Sequence, residues 1–373
     1  MPSYSEKHLN HKKTFDQFVN DNVIYKASQF DDDQVIPRSF FKLLSDHGFL
    51  GASIPEKYGG QEFDYLSLGL MHESFGRGLC SIENALTVTG MVCKPLVRFG
   101  TKYQKDKWLP KIAGGEVIVS LALTEPNIGS DLKNIETIVV KNNGKYFLTG
   151  TKKYITLGQI ADLYLVLARF NDEHITILVE RDTLGLSLTP INNILGLRSN
   201  MLAEIKFEQC CIPEENILGN VKQGFNQIVQ LALDEGRYTT ACGCVGLGQA
   251  CLDDVIEYSA SREQFGSPLF KHQLISKMIT EIIVKTKSAR ELCFHAANLR
   301  EQNDISYISE TLIAKYFASK MAVDVANNAL QIFAGSGFTK EHNVERYYRD
   351  AKVMEVIEGT SQMYEIYIPQ NCL

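Results

Sequence analysis

The sequence predicts an α+β protein in three successive units, helical, β and helical again. Two changes of hydrophobic period carry this prediction. Helical spacing runs from Phe15 to about Gly115, strand-like alternation begins near Val117, and helical spacing returns after Pro213 and Gly219. The length agrees, because 373 residues exceed what one hydrophobic core serves. The predicted units are residues 1–116, 117–219 and 220–373.

In the first unit, Arg38 to His47 and Leu66 to Phe75 have helical spacing, and Pro55 with Gly59-Gly60 breaks the pattern between them. In the second, Ile135 to Val140 and Tyr146 to Thr149 flank Asn142-Asn143-Gly144. That is a hairpin signal, because Asn and Gly accept positive φ at little cost. Leu163 to Phe170 and Ile175 to Val179 form a second pair, and Ala203 to Phe207 adds a strand. In the third, Leu274, Met278 and Ile282 run beside Ile275, Ile279 and Ile283. These two i, i+4 rows predict one broad apolar stripe facing a bundle core.

Composition narrows the function classes. Hydrophobic residues at 45% and charged residues at 22% are those of an ordinary globular chain. A net charge of −6, without a cluster of Lys and Arg, argues against a nucleic-acid surface. The start, Met-Pro-Ser-Tyr-Ser-Glu-Lys-His, lacks the apolar stretch of a signal peptide, and no run reaches the length of a membrane span, so a cytoplasmic protein is expected. Nine cysteines (80, 93, 210, 211, 242, 244, 251, 293 and 372) lack paired CxxC spacing and read as mostly buried thiols. Cys242 and Cys244 could ligate a metal, but Ala241, Gly243 and Gly246 beside them suggest close helix packing, and no metal is expected. The GxGxxG fingerprint after a strand is absent, which disfavours a nicotinamide Rossmann enzyme.

The candidate catalytic residue is Glu358. It follows Met354, Val356 and Ile357 and precedes Gly359 and Thr360, so it stands where an apolar segment breaks into a turn. Partial desolvation there would raise its pKa and strengthen it as a base. On this segment alone, a solvated glutamate at a helix end is the competing reading.

Three further segments bear on that choice. They are Leu121-Ala-Leu123-Thr124-Glu-Pro-Asn-Ile-Gly129-Ser130, leading to Gly150-Thr-Lys-Lys-Tyr154-Ile-Thr156; Arg262-Glu-Gln-Phe265-Gly through Gln273; and Gln331-Ile-Phe-Ala-Gly335-Ser-Gly337. With the Glu358 segment, in this order and spacing, they resemble the acyl-CoA dehydrogenase family of flavoenzymes from about residue 15 onward. The resemblance implies an N-terminal helical domain, a middle β-barrel-like domain and a C-terminal four-helix bundle, with FAD between the last two. It implies Glu358 as the base that removes a proton α to a thioester carbonyl while the flavin takes a hydride at N5.

The same resemblance assigns the cofactor contacts. Leu121, Leu123, Thr124, Gly129 and Ser130 would meet the isoalloxazine and pyrophosphate, Thr156 would hydrogen-bond near N5, and Tyr154 would cover the ring. Many relatives carry Trp at position 154. Arg262, Phe265, Gln273, Gln331 and Gly335 match positions that contact the ADP half of FAD bound mainly by a neighbouring subunit, which implies a homodimer or homotetramer. Thr360 and Gln362 match positions near the pyrophosphate and adenine; helix capping and plain solvation are their other readings. Asp234 and Arg237 match positions lining the pantetheine arm, with a buried ion pair as the alternative. Some relatives carry the base at the position of Gly236, which has no side chain, and neighbouring Glu235 should point about 100° away.

Three functions remain open. The segments around Cys242, Arg262 and Glu358 look most like a branch acting on small hydroxyacyl or aminoacyl groups tethered to acyl or peptidyl carrier proteins in antibiotic-type pathways. Ile357, where many fatty-acid enzymes have Tyr, fits that leaning. A short-chain acyl-CoA dehydrogenase is the alternative, and a non-catalytic scaffold is the third. An electron-transfer flavoprotein or another acceptor would reoxidise either enzyme.

Overall fold

A computed structural model describes residues 4–372, without the Cys372 side chain; Met1, Pro2 and Ser3 of the expected leaderless start and Leu373 lie outside the described residues. Helices α1 (Glu6–Asn22), α2 (Ala27–Asp33), α3 (Arg38–Asp46), α4 (Tyr65–Gly78), α5 (Cys80–Phe99) and α6 (Lys102–Ala113) come first. Their ends carry side-chain caps: Ser5 accepts from the His8 amide, Asp64 from the Ser67 amide and Thr101 from the Gln104 amide. The break read from Pro55 and Gly59-Gly60 falls between α3 and α4, with Gly59 at φ +83°.

Eight strands follow: β1 (Val119–Ala122), β2 (Ile138–Asn142), β3 (Lys145–Ile155), β4 (Leu163–Phe170), β5 (Glu173–Glu180), β6 (Leu186–Ile191), β7 (Leu202–Ile212) and β8 (Ile217–Leu218). They make one mixed sheet ordered β6-β7-β3-β2-β4-β5-β8, with β1 parallel to β4. Strands β2 and β3 pair around Asn143 and Gly144, both at positive φ, as the turn signal predicts. Among the described residues β6 and β8 do not pair, so hydrogen bonding leaves this layer open at one seam.

The third stretch holds α7 (Gln230–Ser261), a short hairpin of β9 (Glu263–Gln264) and β10 (Ser267–Pro268), then α8 (Gln273–Glu301), α9 (Tyr307–Phe333), α10 (Val344–Val356) and α11 (Ser361–Cys372). Helices α10 and α11, separated by the turn carrying Glu358, both pack on α9 beside the long helices α7 and α8. Helix α7 packs closely on α4 through glycine. A Cβ at Gly76 would overlap the Gly243 main chain, and one at Gly246 would overlap the Glu73 carbonyl. This is the close packing that the small residues around Cys242 suggest.

The α8 stripe faces the bundle core as expected at five of its six positions: Ile282 is buried in it, and Ile275, Met278, Ile279 and Ile283 pack against it partly buried; Leu274, at the start of the helix, is the exception at 74% exposed. Phe265, Val284 and Ile256 are exposed as well. Among the eight cysteines with described side chains, seven are buried, Cys211 is exposed, and all are free thiols. No helix among the described residues is long and apolar enough to cross a membrane.

Candidate active site

Helix α10 ends at Val356, and the chain turns through Glu358 at φ +58° and Gly359 at φ +108° before α11 begins. A glutamate in the left-handed region is strained and persists only where its surroundings hold it. Tyr364 of α11 does so by donating its hydroxyl proton to the Glu358 carbonyl at 2.8 Å. The turn thus aims the side chain inward rather than along a solvated helix face. Glu358 Oε2 is shut off from solvent and has no hydrogen-bond partner. Burial pushes its pKa up to about 7, against the pull of Lys315 and Arg237 and with a further push from Glu83.

Helix α7 supplies the opposite wall. A Cβ at Gly236 would lie 2.8 Å from Glu358 Oε2 and 2.6 Å from Met91 Sδ, so the missing side chain leaves the space the carboxylate uses. Glu235 is buried but faces α5, where its Cγ approaches Gly90 and its charge raises the pKa of Lys94 against burial. It therefore points away from Glu358, as the helical step requires. Asp234 does form an ion pair, but with Arg300, at 2.7 and 2.8 Å in a two-pronged contact. Arg237 is not part of that pair. It lies by Glu358 and Tyr364 with Nε unpaired and buried. Beneath the turn, buried Lys315 donates to the Met354 carbonyl at 2.8 Å, and burial lowers its pKa to about 8.

The β layer forms the third side. The loop after β1 carries Leu123 and Thr124 and is pinned by a buried pair, Lys152 to Glu125 at 2.8 Å. Lys152 also donates to the Leu123 carbonyl, the Lys153 amide donates to the Thr124 carbonyl, and Glu125 accepts from the Glu136 and Thr137 amides. Leu121 is partly buried and Leu123 buried, while Gly129 and Ser130 are exposed at the loop tip. Thr156 at the end of β3 places Oγ1 3.5 Å from Asn84 Oδ1 of α5, and that oxygen accepts from Asn200 Nδ2 at 2.7 Å. Tyr154 is 56% exposed at φ +59°.

These residues fit a flavin. Ser199 Oγ and Asn200 Oδ1, the latter on the side chain that donates to Asn84, are buried polar atoms without partners, and buried polar atoms ordinarily have one. A Cβ at Gly129 would meet no atom of the chain, so the chain's own packing does not demand glycine there. Thr360 immediately precedes α11, whose N-terminal amides suit an anionic group, and Gln362 is exposed on its first turn. Among the described residues no three His, Cys, Asp or Glu side chains converge as metal ligands.

The remaining expected contacts stand elsewhere. Arg262 ends α7, 26 residues after Gly236, which is about 39 Å along the helix axis at 1.5 Å per residue. Tyr258 stacks on Phe333 at 4.0 Å, which gathers Arg262, Phe265 and Gln273 with Gln331 and Gly335 at that far end. Arg262, Gln273, Gln331 and Gly335 are exposed, and Phe265 is 97% exposed. One chain does not bring these five to the Glu358 turn.

Several site residues carry no sequence signal strong enough to single them out. Glu83 and His72 pair across two helices, with His72 Nδ1 2.9 Å from Glu83 Oε1. Asn84, Lys315, Arg300 and the Glu125–Lys152 pair likewise join positions that only the fold brings together.

Comparison with known proteins agrees with this arrangement. Profiles described as the N-terminal, middle and C-terminal domains of acyl-CoA dehydrogenase match residues 5–116, 120–210 and 222–372. The short-chain specific acyl-CoA dehydrogenase of Rattus norvegicus mitochondria is 33% identical over 99% of this chain and 90% of its own length. Butyryl-CoA dehydrogenase from Megasphaera elsdenii superposes with a TM-score of 0.94 at 31% identity, covering 99% of this chain and 98% of that one. The prolyl acyl carrier protein oxidase AnaB gives 0.94 at 28% identity, covering 99% of each. The chain belongs to the acyl-CoA dehydrogenase family, FAD-dependent oxidoreductases that act on acyl thioesters.

Proposed function

We propose that this chain dehydrogenates a small acyl thioester carried on the phosphopantetheine arm of a carrier protein, with Glu358 as the base. The supporting observation is the enclosed, unpaired Oε2 of Glu358, whose pKa of about 7 suits proton abstraction near neutrality. Bound FAD supplies the two-electron acceptor. Leu121, Leu123, Thr124, Gly129, Ser130, Tyr154, Thr156, Thr360 and Gln362 would hold it. Arg262, Phe265, Gln273, Gln331 and Gly335 would hold the ADP half bound by a second copy of the chain.

The protein's own groups do the acid–base work. Glu358 takes the proton from the carbon α to the thioester carbonyl, while Lys315 and Arg237 favour its carboxylate form. Tyr364 fixes the strained turn, so the carboxylate needs no reorganisation before it acts. Arg237 and Asp234 would line the path of the arm, the latter held by Arg300.

A hydroxyacyl or aminoacyl extender-unit precursor is the substrate class proposed, and the structural likeness to a carrier-protein oxidase supports it. The likeness to short-chain enzymes across 99% of the chain favours a second reading, a short-chain acyl-CoA dehydrogenase forming a 2-enoyl-CoA. Exposed Leu274, Val284 and Phe265 support a homodimer or homotetramer, since apolar surface of that kind is ordinarily covered. We place the protein in the cytoplasm, divide it at residues 116/117 and 219/220, and expect electron-transfer flavoprotein or another acceptor to reoxidise it. The deciding assay offers one acyl group on a carrier protein and on CoA at low salt. A higher kcat/KM for the carrier-borne thioester, shrinking as salt rises, supports the first reading. Equal or better turnover of the CoA thioester selects the second.

A further inference from the structure

Glu83 of α5 is a second enclosed carboxylate that the base chemistry leaves unused. It has no solvent exposure. Its Oε1 is served twice, by His72 Nδ1 at 2.9 Å and by the Thr87 hydroxyl at 2.8 Å. Its Oε2 is buried and has no partner. A buried carboxylate oxygen without a donor is costly, and a purely structural ion pair would be expected to use it.

The location is informative. A Cβ at Gly243 would lie 2.5 Å from Glu83 Cδ, just as one at Gly236 would lie 2.8 Å from Glu358 Oε2. Gly236 and Gly243 are seven residues apart, so they share one face of α7 and are about 10 Å apart along its axis. Thr239 lies between them, 2.9 Å from the Thr87 hydroxyl. This strip of α7, from Gly236 past Thr239 to Gly243, therefore has the base at one end and Glu83 at the other. The charge of Glu83 is felt at Glu358, as expected of neighbours along this strip.

We propose that Glu83 selects the acyl group, its free Oε2 accepting a hydrogen bond from a hydroxyl or ammonium group on the acyl chain. The inference rests on the thioester reading above and narrows its substrate class. The proposal requires an acyl group with its α-carbon at Glu358 to run along this strip, past Thr239, toward Glu83. An apolar tail would bury the bare oxygen and leave it unpaired, whereas a donor-bearing tail supplies what it lacks. Sites built around such a bond reject analogues lacking the donor by factors of order 10⁴ to 10⁵. Oxygen and nitrogen donors share this chemistry, and charge separates them.

The test uses FAD-loaded wild type, Glu83→Gln and Glu83→Met, each shown to retain FAD and a cooperative melt. Anaerobic flavin reduction is followed with three thioesters of equal chain length on one arm, unsubstituted, hydroxylated and aminated. Wild type is expected to favour a donor-bearing group by at least 100-fold in kcat/KM. Glu83→Met collapses that ratio more than tenfold. Glu83→Gln collapses it for an ammonium substrate and lowers it less for a hydroxyl, since an amide oxygen still accepts. If Glu83→Met loses FAD, the ratio in Glu83→Gln decides. A wild-type preference for the unsubstituted group, or a ratio unchanged in the variants, overturns the role of Glu83 while the thioester reading stands. No flavin reduction by any of the three thioesters overturns both.

Discussion

Gly236 and Glu358 share one small space: a Cβ at residue 236 would lie 2.8 Å from Glu358 Oε2. The absence of a side chain on α7 is therefore part of how the base is placed. Gly236→Ala adds only a methyl group, and the helical backbone tolerates it, but the carboxylate or Met91 must move. Positioning errors near 1 Å cost up to about a hundredfold in rate. The expected outcome is a ten- to hundredfold slower flavin reduction with FAD content unchanged, read by stopped-flow absorbance. A wild-type rate would show that Glu358 acts from another position.

The pKa of Glu358 sets a pH dependence of both rate and stability. Folding raises it from the ordinary glutamate value of 4.5 to about 7 through burial. Between these values the folded protein holds more protons than the unfolded chain, so Glu358 makes stability fall as pH rises from about 4.5 to 7. Above pH 7 the buried carboxylate carries its full cost, and Glu358→Gln should melt higher than wild type at pH 8. That gap should close toward pH 5. The wild-type rate of flavin reduction should rise through pH 7, because only the carboxylate accepts a proton.

The Lys152–Glu125 pair joins β3 to the loop carrying Leu123 and Thr124, with both side chains essentially without exposure. Lys152→Met leaves buried Glu125 without its countercharge and with only the Glu136 and Thr137 amides, a change that typically costs up to about 3–5 kcal/mol. Lower stability in thermal melts and weaker FAD retention are expected together. Glu125→Gln with Lys152→Met removes both charges and should recover part of the loss.

The separation of about 39 Å along α7 between Gly236 and Arg262 yields a prediction about assembly. If the far end of the bundle holds the ADP half of a neighbour's FAD, Arg262→Ala should weaken FAD retention by removing a charge-assisted contact to phosphate. Leu274→Arg should break the oligomer and release FAD together, seen by sedimentation and by free-flavin fluorescence. Full FAD occupancy in a monomeric Leu274→Arg variant would rule out the shared site.

The legible parts of this protein are those written in short-range pattern. The hairpin at Asn142-Asn143-Gly144 appears as β2 and β3, and the alternation around Asn171 appears as β4 and β5. The break after Ile357 appears as the turn at Glu358, although that segment alone reads equally as a solvated helix end and only the other motifs single the residue out. What was not legible depends on distance in the chain. Glu83 meets His72 across two helices, and Lys152 meets Glu125 across 27 residues, so each looks like an isolated charge in sequence. The α8 stripe was legible as a core-facing row, and only Leu274, in the first turn, stands outside the core at 74% exposed, because periodicity marks a face and not where along the helix its cover begins. Asp234 was readable as half of an ion pair, but its partner Arg300 lies 66 residues away rather than three.

The central claim is that Glu358 is the base, and Glu358→Gln tests it with the least change of shape. The variant keeps the side-chain volume and removes the proton acceptor, while Tyr364 still holds the turn through the main chain. Anaerobic single-turnover mixing with a thioester that bleaches the wild-type flavin should show reduction slowed by about 10² to 10⁴ with FAD still bound. Bleaching at the wild-type rate would contradict the assignment and make Glu235 the next residue to test.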